Sequence, residues 1–478
     1  MIIDIILFVV YMILVLLVGV YFFTKNKTHD DYYVAGRNVG SWHNGLSVVA
    51  TDVGGGFSIG LGGLGFTMGL SGSWLLFTGL IGAWMAAAWV IPKVYSMKSF
   101  SKTTTLPQVF ESYYGRNVAI LAGIITTISY LGFTSSQIVA GAKLASGTFP
   151  EITFIHAVLI MGFVAIGYTI LGGLKAVIYT DTFQWIILIA GLLFVGVPFS
   201  YQAVGGWEAI KGTIKPDMLS LTNVHWKQLF NWAITIIPIW FVGMTLYQRI
   251  FASRSEKEAR KAWYIAGLFE WPVMAFLGVG LGLLARVAFE QNLFSDFGYP
   301  IGSEIDPEIG LPILLRSVLP HGFMGLVLAS YFSAVMSTAD SCLMACSGSF
   351  LTDVLRMKTK GESMHKRELR ASQYVTLGAG IISLIIALFL QNVLSAMLFS
   401  YAFMVSGLLI PILGAFYWKG STATGALTAM LVGGILTTLL SVYQVAPLGL
   451  DPNFYGLLAA FTSFIVVSHF SKTKQHKV

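Results

Sequence analysis

The sequence predicts an all-α integral membrane protein with about thirteen spans, on three observations. Of its 478 residues, 56% are hydrophobic and 11% charged; soluble domains carry about 25% charged residues. The apolar residues come in long runs: 7–23, 74–91 and 186–197 contain no charged side chain. About 20 such residues cross the hydrocarbon core as a helix, and backbone in lipid must bond internally, so the runs are helices. Finally, the basic residues crowd onto alternate loops.

Taken in order, the expected spans are 2–24, 41–71, 73–97, 119–147, 153–172, 178–200, 228–252, 262–288, 311–350, 372–390, 394–417, 421–443 and 453–470. The first run is too long for a signal peptide and lacks a small-residue cleavage site. Lys25 and Arg37 follow span one, Lys93, Lys98, Lys102 and Arg116 follow span three, and Lys175 follows span five. Arg254, Lys257, Arg260 and Lys261 follow span seven; Arg356, Lys358, Lys360, Lys366, Arg367 and Arg370 follow span nine. Lys419 and the tail lysines complete that side, which the positive-inside rule makes cytoplasmic. The opposite loops are poor in basic residues apart from Lys211, Lys215 and Lys227. An odd span number puts the N-terminus outside and the C-terminus inside, and the compact loops suit a cell inner (plasma) membrane.

Several classes fall away. The net charge of +7 reflects loop topology, since no basic stripe carries interleaved aromatics, so nucleic acid is no partner. The expected partners are the lipid bilayer and a small organic solute, with no obligate protein partner implied. Cys342 and Cys346 lie four apart on one helix face, as packing thiols rather than a zinc site. Gly60–Gly65 matches a dinucleotide fingerprint and Gly56–Gly60 a nucleophile elbow, but both motifs need a strand–turn–helix context that a membrane span lacks. The chain is not expected to be an enzyme.

Charge inside lipid marks the chemistry, because an aspartate at mid-membrane costs roughly 2.5–3.5 kcal/mol on insertion scales. Asp52, Asp181 and Asp340 stand out; Glu270 lies nearer the cytoplasmic end of its span, where a structural role serves as well. Asp52 precedes Gly54-Gly55-Gly56. Three glycines weaken a helix by about 1 kcal/mol each, and irregular backbone at membrane depth is tolerated where it lines a cavity. Span two is therefore expected to break here and offer carbonyls to a cation, the alternative being close packing through small residues. Ala334, Ser337, Thr338 and Ser341 share a helix face, with Asp340 on an adjacent one. Hydroxyls, carbonyls and a carboxylate suit a hard cation such as sodium, although Ser and Thr often just bond their own i−4 carbonyls. Asp181 is read equally well as a helix-start acid or as an inward-pointing ligand.

These residues resemble the sodium:solute symporter family. The resemblance is carried by Tyr32–Gly40, the Ala50–Gly56 break, Gly172-Gly173 through Thr182, Gln248-Arg249 and Ser333–Ser341, in order over most of the chain. It implies the broken-helix (LeuT-like) transporter fold with two inverted five-helix repeats. The resulting organisation is an extra N-terminal helix at 1–24, repeats at 41–200 and 228–417, and C-terminal helices with a cytoplasmic tail at 421–478. It implies a first sodium held by the carbonyls of Ala50, Val53 and Ala334 and the hydroxyls of Ser337 and Thr338. A second sodium in some members implies Asp181, Ser337, Asp340 and Ser341, although Asp340 departs from the hydroxyl those members carry. The solute is placed beside Asp52, Gly54, Phe57 and Trp240. Gly132 and Gly243 fall where a choline carrier has aromatics, which disfavours choline. The expected function is sodium-coupled symport of an amino acid or other amine-bearing solute. A sugar, sialic acid or carboxylate is the alternative, and a substrate-sensing receptor the non-transport one.

Overall fold

The computed structural model describes residues 2–25, 34–149, 151–171, 174–356 and 362–471. Tyr32, Tyr33, Gly172, Gly173, Lys358, Lys360 and the tail lysines lie outside them. The described residues form helices with no named strand; Val39 and Ser253 make an isolated bridge. We label the principal helices α1 (Ile2–Lys25), α2 (Ser41–Val53), α3 (Gly55–Met68), α4 (Trp74–Met85), α5 (Leu106–Tyr114), α6 (Arg116–Thr148), α7 (Phe154–Leu171), α8 (Leu174–Gly191) and α9 (Trp226–Val242). The series continues with α10 (Met244–Ala252), α11 (Glu256–Leu268), α12 (Ala275–Glu290), α13 (Pro307–Val318), α14 (Phe323–Ser349), α15 (Glu362–Ala387), α16 (Val393–Tyr417), α17 (Ala423–Val442) and α18 (Pro452–Ser471).

Among the described residues, nine helices are long and apolar enough to cross a membrane, ten if the bent pair α9 and α10 counts as one span. Two expectations need correction. Residues 311–350 are not one span: α13 ends at Val318 and α14 begins at Phe323. Between them stand Pro320, which cannot continue a helix, and Gly322 at φ 92°, a conformation that favours glycine. Span seven is not continuous either. Gly243 takes extended angles (φ −65°, ψ 117°) and the halves meet at 41°.

α14 is the centre of the molecule: 94% of its most apolar window is buried, against 28% for α18. It packs on α6, α8 and α1. α2 leans on α11 and α8, whereas α3 leans on α12 and α13, so the two halves of span two have different neighbours. The glycine run in α3 acquires a packing role. A Cβ on Gly65 would fall 2.1 Å from the Val279 carbonyl oxygen, and one on Gly282 would fall 2.0 Å from that of Gly62. The two backbones touch, as small residues allow inside membranes.

Candidate ion and solute site

Span two breaks at Gly54, whose φ of −14° and ψ of −170° separate α2 from α3. The break lies hard against α14: a Cβ on Gly54 would sit 1.9 Å from Thr338 Oγ1. The Thr338 hydroxyl lies 3.2 Å from the Ala50 carbonyl oxygen and 3.2 Å from that of Ala334. One hydroxyl has one proton and serves one of these carbonyls at a time; the other keeps its lone pairs. Three of the five first-sodium positions therefore bring their oxygens together across the break. The Val53 carbonyl is nearby in sequence and receives a long contact from Ser58 Oγ, 3.5 Å, which bonds Gly54 better at 3.0 Å. An all-oxygen set of carbonyls and a hydroxyl fits a hard monovalent cation.

Ser337 turns the other way and donates to Asp181 Oδ1. Asp181 anchors a second cluster built around Arg249 of α10, and neither side chain has any exposure. Nη2 of Arg249, with two N–H donors to share, lies 2.7 Å from Thr51 Oγ1, 3.0 Å from Ser341 Oγ, 3.1 Å from Ser47 Oγ and 3.3 Å from Asp181 Oδ2. Nε reaches Ser47 Oγ at 3.2 Å and Nη1 the Thr245 carbonyl at 3.2 Å. Of the four second-sodium positions, Asp181 and Ser341 thus bond a guanidinium directly and Ser337 bonds the carboxylate it pairs with. Asp340 faces α7, where its Oδ1 accepts from Thr169, and its Oδ2 has no hydrogen-bond partner among the described residues. The Arg249 guanidinium thus takes up two of the four second-sodium positions, Asp181 and Ser341.

On the solute side, Asp52 ends α2 buried, and Tyr401 of α16 donates to its Oδ1 at 3.3 Å. Phe133 packs edge-on against the Tyr401 ring, centroids 5.0 Å apart. Glu270, in the π turn Phe269–Met274 between α11 and α12, is buried against Gly79 of α4, where a Cβ would lie 2.1 Å from its Oε2. Neither Glu270 oxygen accepts a bond from an N–H or O–H among the described residues. At the start of α3 the Gly56 N–H donates to Gln137 Oε1 at 3.0 Å. The Phe57 side chain lies outside the described residues. Trp240 is wholly buried, edge-on to Trp263 with centroids 6.4 Å apart and pressed against Gly82. Its place is thus between α4 and α11.

Arg249, Gln137 and Tyr401 were not singled out from the sequence as site residues. For Arg249 a signal existed: it is a full charge inside an apolar span, which is costly unless paired. Gln137 and Tyr401 carry no such mark.

A broken central helix packed across an oxygen-rich helix defines a secondary transporter. The sodium:solute symporter family model matches residues 32–433, and the chain belongs to that family. It is 26% identical to the "High-affinity proline transporter PutP" of Bacillus subtilis, covering 94% of each chain. It is 27% identical to the "Sodium/proline symporter" of Staphylococcus aureus, covering 96% of this chain and 90% of the relative. In fold it resembles a sodium-coupled sialic acid symporter solved substrate-bound and outward-open, at a TM-score of 0.80, 21% identity and 98% coverage of both chains. A nucleobase–cation symporter matches at 0.58, with 13% identity, over 93% of this chain and 95% of that one. The chain is a sodium-coupled symporter of a small organic solute, a transporter and not an enzyme.

Proposed function

We propose that the transported solute is an amino acid or other amine-bearing compound, and that one sodium ion accompanies it, held at the break by Ala50, Val53, Ala334 and Thr338. The observation that carries this reading is the Thr338 hydroxyl lying 3.2 Å from both the Ala50 and Ala334 carbonyls. Ser337 takes part through Asp181, tying the ion position to the Arg249 cluster. The buried acid Asp52 beside the break supports an amine, and the proline carriers among the relatives agree with it.

Two breaks, at Gly54 and Gly243, in the first helices of 41–200 and 228–417, support inverted five-helix repeats there. Helix 1–24 then stands before the repeats and 421–478 after them. The clustering of basic residues supports an outside N-terminus and a cytoplasmic C-terminus in the plasma membrane. Sodium entering from outside draws α2 and α14 together and shapes the solute pocket; solute binding then closes the outer path. Coupling follows because each ligand stabilises the state that binds the other. The membrane potential adds about 2.3 kcal/mol per charge per 100 mV to inward release.

The test is uptake of labelled solute into proteoliposomes by wild type and by the double variant Ser337→Ala, Thr338→Ala. Sodium-dependent uptake is expected to vanish in the variant, with the protein still folded and monodisperse. Uptake driven by sodium as in wild type overturns the ion site.

A further inference from the structure

The ion and solute site leaves unused a cavity of about 380 Å³ between α16 and α18. Ile410, Gly414 and Trp418, at i, i+4 and i+8, form one wall; Phe461, Phe464 and Ile465 form the other. Gly414 sets the close approach of the two helices: a Cβ there would fall 2.3 Å from Phe464 Cζ. Trp418 packs edge-on against the same ring, centroids 5.3 Å apart. Phe461 stays 50% exposed and Ile465 39%, and in a membrane span such apolar surface faces lipid. One end of this groove is polar. Trp418 directly follows α16, and its indole N–H has no acceptor among the described residues. Lys419 comes next, exposed and in no ion pair among the described residues. The Thr422 hydroxyl lies 2.7 Å from that of Ser471, which holds the Lys419 loop against the last turn of α18. From 371 to 478 the chain has a single acid, Asp451, at the opposite end of α18, about 30 Å away along that helix.

We infer that the groove holds one anionic phospholipid, with an acyl chain between the α16 and α18 walls and its phosphate at the Trp418 N–H and Lys419. The chain covers the apolar faces of Phe461 and Ile465. The headgroup end carries the two residue types suited to that depth: an indole, apolar in body and polar at its tip, and an ammonium, a point charge for phosphate. Lys419 is the one cation between 371 and 471, and no acid of that stretch lies at its end of α18 to offset it. The groove end therefore favours a net negative headgroup. A zwitterionic headgroup brings its own cation beside Lys419 and gains less. A second copy of the chain would have to carry an acid to Lys419, and α18 has none to give.

Native mass spectrometry of the purified full chain tests this with two lipids of identical chains, dioleoyl phosphatidylglycerol and dioleoyl phosphatidylcholine, each titrated in detergent. Wild type is expected to retain one phosphatidylglycerol at a concentration about fivefold lower than it needs for phosphatidylcholine, the worth of one lysine beside an anionic headgroup. Lys419→Gln should abolish that preference and leave phosphatidylcholine retention unchanged. Ile465→Trp, which fills the groove from a partly exposed position, should lose both lipids. Equal retention of the two lipids by wild type overturns the inference, as does a preference that survives in Lys419→Gln. Undiminished retention in Ile465→Trp places the lipid elsewhere and overturns it too. A lipid-free dimer gives the groove to a second copy and does the same. Should Ile465→Trp not fold, wild type and Lys419→Gln, which alters only an exposed loop residue, decide alone.

Discussion

Replacing Arg249 with methionine keeps the aliphatic stem and removes the guanidinium head from the Asp181 cluster. All three guanidinium nitrogens are bonded, at 2.7–3.3 Å, and neither Arg249 nor Asp181 has any exposed surface. Breaking such a buried pair from one side costs about 3–5 kcal/mol, because the remaining charge has no partner. Removing both partners costs less than the sum of the two single changes. The vacated space is lined by oxygens of Ser47, Thr51, Asp181 and Ser341, a hard-cation set. Sodium should enter it, and at a hundred times its dissociation constant would return about 2.7 kcal/mol. The assay is thermal unfolding in detergent, in sodium chloride and in potassium chloride. Arg249→Met should unfold well below wild type in potassium and regain more in sodium than wild type does. Asp181→Asn with Arg249→Met should be more stable than the sum of the singles allows. An Arg249→Met variant as stable as wild type in potassium, or strict additivity in the double variant, would refute the reasoning.

Other changes have expected outcomes of their own. Gly54→Ala places a methyl 1.9 Å from Thr338 Oγ1; it should cost about 1–3 kcal/mol by overpacking and weaken sodium binding at least tenfold, read from sodium titrations of unfolding temperature. Glu308→Gln should destabilise by about 1.5–3 kcal/mol, the worth of a charge-assisted bond, because Glu308 pairs with buried Lys143 at 2.6 Å and accepts the Val393 and Leu394 N–H groups that open α16. That loss is read by thermal unfolding and should be equal in sodium and potassium. Gly282→Leu should block folding, as its side chain would displace the Gly62 backbone; fluorescence-detected size exclusion reads the result, and a monodisperse variant would contradict the crossing described.

The all-helical membrane class was legible because bilayer thickness imposes a length that hydropathy reads directly. The break at Gly54 was legible for a different reason: three glycines beside an acid have no good account in an unbroken helix. The interruption at Gly243 was not, since a lone glycine after Pro238 in an apolar run is compatible with a continuous span, and packing decides it. The division of 311–350 could have been read from Pro320 and Gly322, and from the run's being too long for one crossing. The site was less legible. Ala50, Ala334 and Thr338 follow from motif positions, but Ser47, Asp181, Arg249 and Ser341 come from four separate helices, and no spacing rule brings them together. Asp340 shows the limit most clearly: helical periodicity puts it one position from Ser341, and that single step turns its carboxylate to Thr169 of α7 rather than to Arg249.

The central claim is that one sodium ion binds where α2 breaks against α14. Equilibrium binding of radioactive sodium to the purified chain tests it, with wild type set beside the Ser337→Ala, Thr338→Ala variant. The account predicts saturable binding of a single ion by wild type, without competition from equal potassium, and its loss in the folded variant. Undiminished binding by the variant, or a second ion bound by wild type, would contradict it.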